Sequence, residues 1–180
     1  EEEEARKGRD VTLYFAPVKK QKVKLMMEKA TELGLGKFVP VLSQNVNVDI
    51  DFEKDGSFDR VIQESAEQCE RMDIPVLQKV PLSLSSLITE WEGRAKGSLL
   101  VCRERSSSSD PLLNTLLAGS GASAPLGLLV GPEGGFTDFV FEEMEKSPSV
   151  HFVSLGSNVL RAETAAIAAM AMVSAALDYR

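Results

Sequence analysis

Apolar residues along this chain fall in short runs separated by longer amphipathic stretches. Residues 11–16 alternate weakly and predict a strand. Val23, Met26, Met27, Ala30 and Leu33 then recur at helical spacing, forming one apolar face, with Gly34 placed as the C′ residue. Residues 37–42 predict a strand and 45–57 a polar loop. Phe58, Val61, Ile62, Ser65 and Cys69 mark a second amphipathic helix, with Asp55 or Ser57 as N-cap and a stop before Pro75. Residues 75–80 predict a short strand. Ser83 or Ser85 caps a short helix running through Trp91, and 98–102 predict a buried-type strand.

Residues 106–109 are all serine and predict a loop. Asp110 and Pro111 read as N-cap and N1 of a helix to Ala118, followed by a small-residue linker over 119–125. Residues 126–130 are a buried-type strand. Thr137 caps a helix to Lys146, with Phe136 and Phe141 spaced as a hydrophobic staple. Residues 150–155 predict the last strand. Residues 164–177 are small and apolar on every side, which predicts a buried helix. Strands alternating with helices of these lengths imply an α/β domain with a parallel sheet flanked by helices.

Composition changes this picture little. The chain has 180 residues, 43% hydrophobic and 26% charged, as expected of one soluble domain. Net charge is −7, and four of those charges are the leading glutamates, so the remainder carries −3. That argues against a broad nucleic-acid-binding surface but leaves room for a local basic patch. Residues 1–10 read as an acidic linker or disordered segment, and 11–180 as the domain. Cys69 and Cys102 have no metal-binding spacing, no metal site is expected, and reduced thiols fit a reducing compartment. The apolar stretch 164–177 falls short of the ~20 residues of a membrane span, so no membrane is expected.

Two stretches carry the candidate chemistry. The run Leu126–Val130 stops at Gly131-Pro132-Glu133-Gly134-Gly135. Three glycines, a proline and a carboxylate in five residues read either as a tight turn or as a loop offering bare amides to a ligand at a strand end. The spacing is neither a dinucleotide fingerprint nor a phosphate loop. The last predicted strand ends similarly in Leu155-Gly156-Ser157-Asn158-Val159-Leu160-Arg161-Ala162-Glu163-Thr164-Ala165. His151, the only histidine, lies within a strand and reads as structural.

These stretches, with Glu28-Lys29-Ala30-Thr31-Glu32-Leu33-Gly34 and with Glu67-Gln68-Cys69-Glu70-Arg71 before Ile74-Pro75, together resemble the RsmE family of ribosomal RNA methyltransferases, in the SPOUT superfamily. The resemblance spans about residues 11–180. It implies a SPOUT-type parallel sheet with a C-terminal trefoil knot and an S-adenosylmethionine site built from the knot loops. It further implies a homodimer that methylates N3 of a uridine in small-subunit ribosomal RNA, in the cytoplasm or in an organelle stroma or matrix. The family's N-terminal RNA-binding domain would precede Val11. Leu129, Val130, Gly131, Pro132, Glu133, Gly134, Gly135, Leu155, Gly156, Ser157, Asn158, Val159, Leu160, Thr164 and Ala165 are the implied cofactor residues.

Methyl transfer to N3 requires loss of a weakly acidic proton and stabilisation of charge on the base. Arg161 could offset that charge or grip a phosphate, and Glu163 could accept the proton or orient Arg161. The same two residues also read as a plain ion pair where the last helix begins. Lys19, Gln68 and Arg71 are candidate RNA contacts, or simply solvated helix surface. The chain departs from the family at Asn158 and Asn45, where basic residues are usual, and at Val140, where an acidic one is. Two further readings stay open: a ribose 2′-O-methyltransferase, disfavoured by Val159-Leu160-Arg161, and a non-catalytic RNA-binding or assembly protein.

Overall fold

A computed structural model describes residues 9–42, 50–92, 97–104, 109–118, 125–132 and 134–178. The chain order is β1 (Val11–Phe15), α1 (Lys20–Glu32), β2 (Lys37–Leu42), α2 (Ser57–Gln68), β3 (Val76–Leu77), β4 (Leu82–Ser83) and α3 (Leu84–Glu92). There follow β5 (Ser98–Cys102), β6 (Asp110–Pro111), α4 (Leu112–Leu117), β7 (Leu126–Val130), α5 (Asp138–Glu145), β8 (Val150–Ser154) and α6 (Ala162–Asp178). The strands form one sheet in the order β3-β2-β1-β7-β5-β8-β6, with β4 also pairing to β2. All of these pairings are parallel. The parallel α/β architecture read from the alternating pattern is therefore the fold observed.

The pleat divides the core in two. Leu13, Phe15, Phe38, Leu100, Leu128, Val130 and Val153 face one side, where α1, α2, α4 and α6 pack. Tyr14, Val39, Val41, Leu99, Val101 and Leu129 face the other, against Leu87 and Trp91 of α3 and Met144 of α5. Strands buried on both faces read as continuous apolar runs, which is why they stand out in the sequence. Gly127 lets Trp91 lie close over β7, because a Cβ there would stand 2.6 Å from the indole.

The helix signals are largely realised. Val23, Met26, Met27 and Ala30 are buried on α1, and Gly34 has φ 89° at its end. The N–H of Leu35 donates to Ala30 O and that of Gly34 to Thr31 O, both at 3.0 Å, the paired bonds of a Schellman close. Ser83 caps α3, its Oγ accepting the Ser86 N–H at 3.1 Å. Ahead of α2 the N-cap is Gly56, not Asp55 or Ser57; Asp55, one residue earlier, accepts the Ser57 N–H on its Oδ1 at 3.1 Å. Phe136 and Phe141 form the staple before α5, with ring centroids 6.0 Å apart and edge-to-face.

Three further expectations are corrected. Residues 75–80 form only the two-residue β3, and β2 is met further along by β4. The carbonyls of Gly36 and Phe38 accept from Val76 and Gln78 on that side. Two residues on, Pro40 has no N–H to continue the ladder. Asp110 and Pro111 are not N-cap and N1: they pair with Val153 and Ser154 as an edge strand, and Pro111 becomes the N-cap of a shorter helix. The last helix is not buried all round. Ala165, Ala166, Ala169, Met170, Val173 and Ala176 face the core, while Thr164, Ala171 and Ala175 are exposed.

Candidate functional site

β7, β5 and β8 lie side by side in the sheet, and their C-terminal ends finish close to one level: Val101 pairs with Leu129 and Cys102 with Val153. Parallel α/β sheets bind ligands at this edge, where the loops diverge. Here the three exits surround a cavity of ≈ 700 Å³, within the range that holds a cofactor-sized molecule.

From β7 the cavity takes Val130, Gly131, Pro132, Gly134, Gly135 and Phe136, and from α5 Asp138 and Phe141. From β8 and the loop after it come Val153, Ser154, Leu155, Gly156, Asn158, Val159 and Leu160, and from α6 Ala162 and Ala165. Both loops singled out in the sequence thus face one space. Gly135 takes φ 71°, so the turn before α5 needs glycine there.

Not every expected residue joins them. Leu129 points to the opposite face of the sheet, into the Trp91 cluster. Ser157 and Thr164 are exposed and outside the lining, and Glu133 lies outside the described residues, as does Asn45. Arg161 is exposed and Glu163 is buried, and neither lines the cavity. Glu163 Oε1 stands 3.7 Å from Lys22 Nζ.

The candidate RNA contacts separate in the same way. Lys19 is exposed at the N-cap of α1 and Gln68 is exposed at the end of α2. Arg71 is held internally: Nη1 donates to Thr31 O at 2.9 Å and to Leu35 O at 2.8 Å, and Nη2 pairs with Asp73.

The third wall, from β5, is Cys102, Arg103 and Glu104, which the sequence reading passed over. Arg103 lies 4.2 Å from the Phe141 ring centroid and 5.4 Å from that of Phe152, and pairs with Glu145 at 3.3 Å. These contacts hold its guanidinium against the aromatic wall. Burial pushes the Cys102 thiol up to about 12, with Glu104 adding to the effect. A thiol so raised is a neutral wall group, not a nucleophile. No glycine pattern marks this segment; its only sequence signal is a charged pair directly after a buried strand.

The chemistry of the lining is mixed in a specific way. Apolar walls from Val130, Phe136, Leu155 and Leu160 stand beside bare backbone at Gly131, Gly134 and Gly135. Two carboxylates, Glu104 and Asp138, sit at the rim. Flat apolar surface suits a purine, and free amides and carbonyls suit its ring edge. Rim carboxylates suit hydroxyls and positive charge. Among the described residues, no group of His, Cys, Asp and Glu could hold a metal ion. No described helix is long and apolar enough to cross a membrane.

Comparison with known proteins agrees with this geometry. The sequence profile of the RNA methyltransferase domain family matches residues 5–174. The chain is similar to the ribosomal RNA small subunit methyltransferase E of Rickettsia conorii, 30% identical over 168 residues. It is also similar to that of Synechocystis, 34% identical over 170 residues. These alignments cover 91% and 93% of the chain but 63% and 54% of the relatives' own lengths. A methyltransferase of Legionella pneumophila, solved with S-adenosylmethionine bound, superposes with a TM-score of 0.77 at 29% identity, covering 92% of this chain and 66% of that one. A probable rRNA methyltransferase of Porphyromonas gingivalis shares the fold with a TM-score of 0.80 at 22% identity, over 97% of this chain and 70% of that one.

Proposed function

The chain belongs to the RNA methyltransferase domain family, in its ribosomal RNA small subunit methyltransferase E group, and from that premise we propose that it methylates N3 of a uridine in small-subunit ribosomal RNA, with S-adenosylmethionine as donor. The observation that carries this reading is the convergence of three adjacent strand ends on one cavity with apolar walls, bare glycine backbone and rim carboxylates.

Those residues suit the donor. Val130, Phe136, Leu155 and Leu160 would flank the adenine, the backbone of Gly131, Gly134 and Gly135 and of Leu155, Gly156, Val159 and Leu160 would meet its polar edge, and Asp138 would face the hydroxyls and the cationic end. When bound, that group supplies an electrophilic methyl on a sulfonium. The chain's own work is to hold the reactants in line and to exclude water. Exposed Arg161, next to the second loop, would face the RNA and offset negative charge on the base. Buried Glu163, paired with Lys22, would support the start of α6 and so the placement of Arg161. Exposed Lys19 and Gln68 would extend the RNA contact.

Two finer features accompany the reading. The outward face of α6, with Thr164, Ala171 and Ala175 exposed on an apolar helix, suits a homodimer. The segment 155–160 is tied to Glu104 before α6 packs against α1 and α4, a path that suits the trefoil knot of the SPOUT superfamily.

Calorimetric titration of the chain with S-adenosylmethionine and S-adenosylhomocysteine tests the donor site, with saturable binding near one per chain expected. Labelled methyl transfer to small-subunit ribosomal RNA, followed by nucleoside analysis, tests the rest. Label in 3-methyluridine is expected. Label in 2′-O-methyl nucleosides, or binding without transfer by the full-length protein, would overturn the assignment.

A further inference from the structure

Glu104 stands two residues past the end of β5, outside both glycine-bearing loops, and it lines the cavity. Its Oε1 accepts the backbone N–H of Leu160 at 2.8 Å, across 56 residues of chain. Leu160 is the last cavity residue of the loop after β8, directly before Arg161 and α6. Inside that loop, Ser154 Oγ and Gly156 are joined at 3.2–3.3 Å, which closes the turn but does not anchor the loop to another strand end. The Glu104 bond does. It ties the exit of β5 to the far end of the loop that follows the neighbouring strand β8.

The bond is of a strong kind, an ionised acceptor on a backbone donor. The carboxylate also sits near the first turn of α6, where the helix dipole favours negative charge. Residues Gly156, Asn158 and Val159 between the two anchor points are exposed, so the loop's position over the cavity depends on its ends.

We propose that Glu104 is a positioning residue that holds the Leu155–Leu160 loop at the height from which it grips the donor. The proposal rests on the reading of the cavity as a donor site. Fixing the loop in advance removes an ordering cost from ligand binding, so loss of the bond weakens binding without touching the ligand.

Two measurements on the chain test it. Hydrogen–deuterium exchange without ligand reads the loop directly: Glu104→Ala should speed exchange over residues 155–161, and Glu104→Gln, which retains an acceptor oxygen, should not. Titration with S-adenosylhomocysteine should show about a tenfold weaker Kd for Glu104→Ala and a change within about twofold for Glu104→Gln. Both variants should melt with the parent chain. Unchanged exchange in Glu104→Ala would overturn the proposal. Equal loss of affinity in both variants would too, because the charge rather than the loop contact would then matter. Early melting of both variants would make Glu104 a fold residue and likewise overturn it. If the parent chain binds no S-adenosylhomocysteine, the donor reading fails, and the exchange comparison still decides whether Glu104 holds the loop.

Discussion

Lys22 on α1 and Glu163 on α6 face each other, Nζ to Oε1 at 3.7 Å, and so join the first turns of two helices packed on the same face of the sheet. Glu163 is only 7% exposed, and its Oε2 has no hydrogen-bond partner among the described residues. A buried carboxylate with one oxygen unmatched depends on the cation beside it and on the α6 dipole behind it. Lys22→Met should therefore destabilise the chain by about 2 kcal/mol. Lys24→Met, on the same helix, should change it by less than about 0.5 kcal/mol. Urea unfolding of the two variants checks this, and equal midpoints would show that the pair contributes nothing.

Gly134 and Gly135 are neighbours with different requirements. Gly135 takes φ 71°, where a side chain is strained whatever the space. A Cβ at Gly134 would meet no atom within 4 Å. Gly134→Val should therefore melt with the parent chain yet lose S-adenosylhomocysteine affinity by tenfold or more, roughly the effect of one lost close approach. Gly135→Val should lose about 1–2 kcal/mol of stability as well. Unchanged affinity in Gly134→Val would mean that the ligand does not approach this glycine.

The sheet and its two core layers could be read from sequence because buried strands leave uninterrupted apolar runs, as at Leu126–Val130. The first loop could be read because Gly131, Gly134 and Gly135 cluster where backbone must be bare, and the second, with Gly156 alone, from its place between a strand and a helix of small residues. The β5 wall could not: Cys102, Arg103 and Glu104 carry no pattern, and only the neighbouring positions of β7, β5 and β8 bring them to the cavity. Arginine is ambiguous for another reason. A guanidinium suits a phosphate and a helix C-terminus equally well, and the fold decides which acceptor it meets. The outer face of α6 shows the converse limit. Its apolar pattern predicts burial, but nothing in the pattern says whether the cover comes from this chain or from another.

Asp55 makes the acid limb of the stability curve a test of how α2 is started. The Lys20 ammonium and the Ser57 hydroxyl hold its carboxyl down at about 2, from an ordinary 3.8. A folded-state value below the unfolded one means that the contribution is complete above about pH 4 and is lost as pH falls toward 2. Asp55→Asn should lack that contribution, so its thermal midpoint should fall less than the parent's between pH 4 and pH 2. Parallel curves for the two proteins would show that the Lys20 contact is not maintained in solution.

Arg71 joins the ends of two helices. Its backbone N–H donates to Ala66 O at 2.9 Å, closing α2 in a Schellman turn through Glu70, whose φ is 55°. Its side chain crosses to α1 and donates to Thr31 O and Leu35 O, around the Schellman turn that closes that helix. A cation at a helix C-terminus is favoured by the dipole, and Asp73 fixes the guanidinium plane through Nε and Nη2. With 6% of the side chain exposed, little of it is available to RNA in this arrangement. Arg71→Ala should cost about 2–4 kcal/mol by stranding buried carbonyls. Arg71→Lys should recover only part of this, because an ammonium cannot reproduce the planar fork. Chemical denaturation gives the stability order, and RNA binding by whichever variant stays folded gives the other half of the answer. A lysine variant of parent stability with weakened RNA binding would return Arg71 to the RNA surface; a destabilised one with RNA affinity intact would identify it as the clasp between α1 and α2.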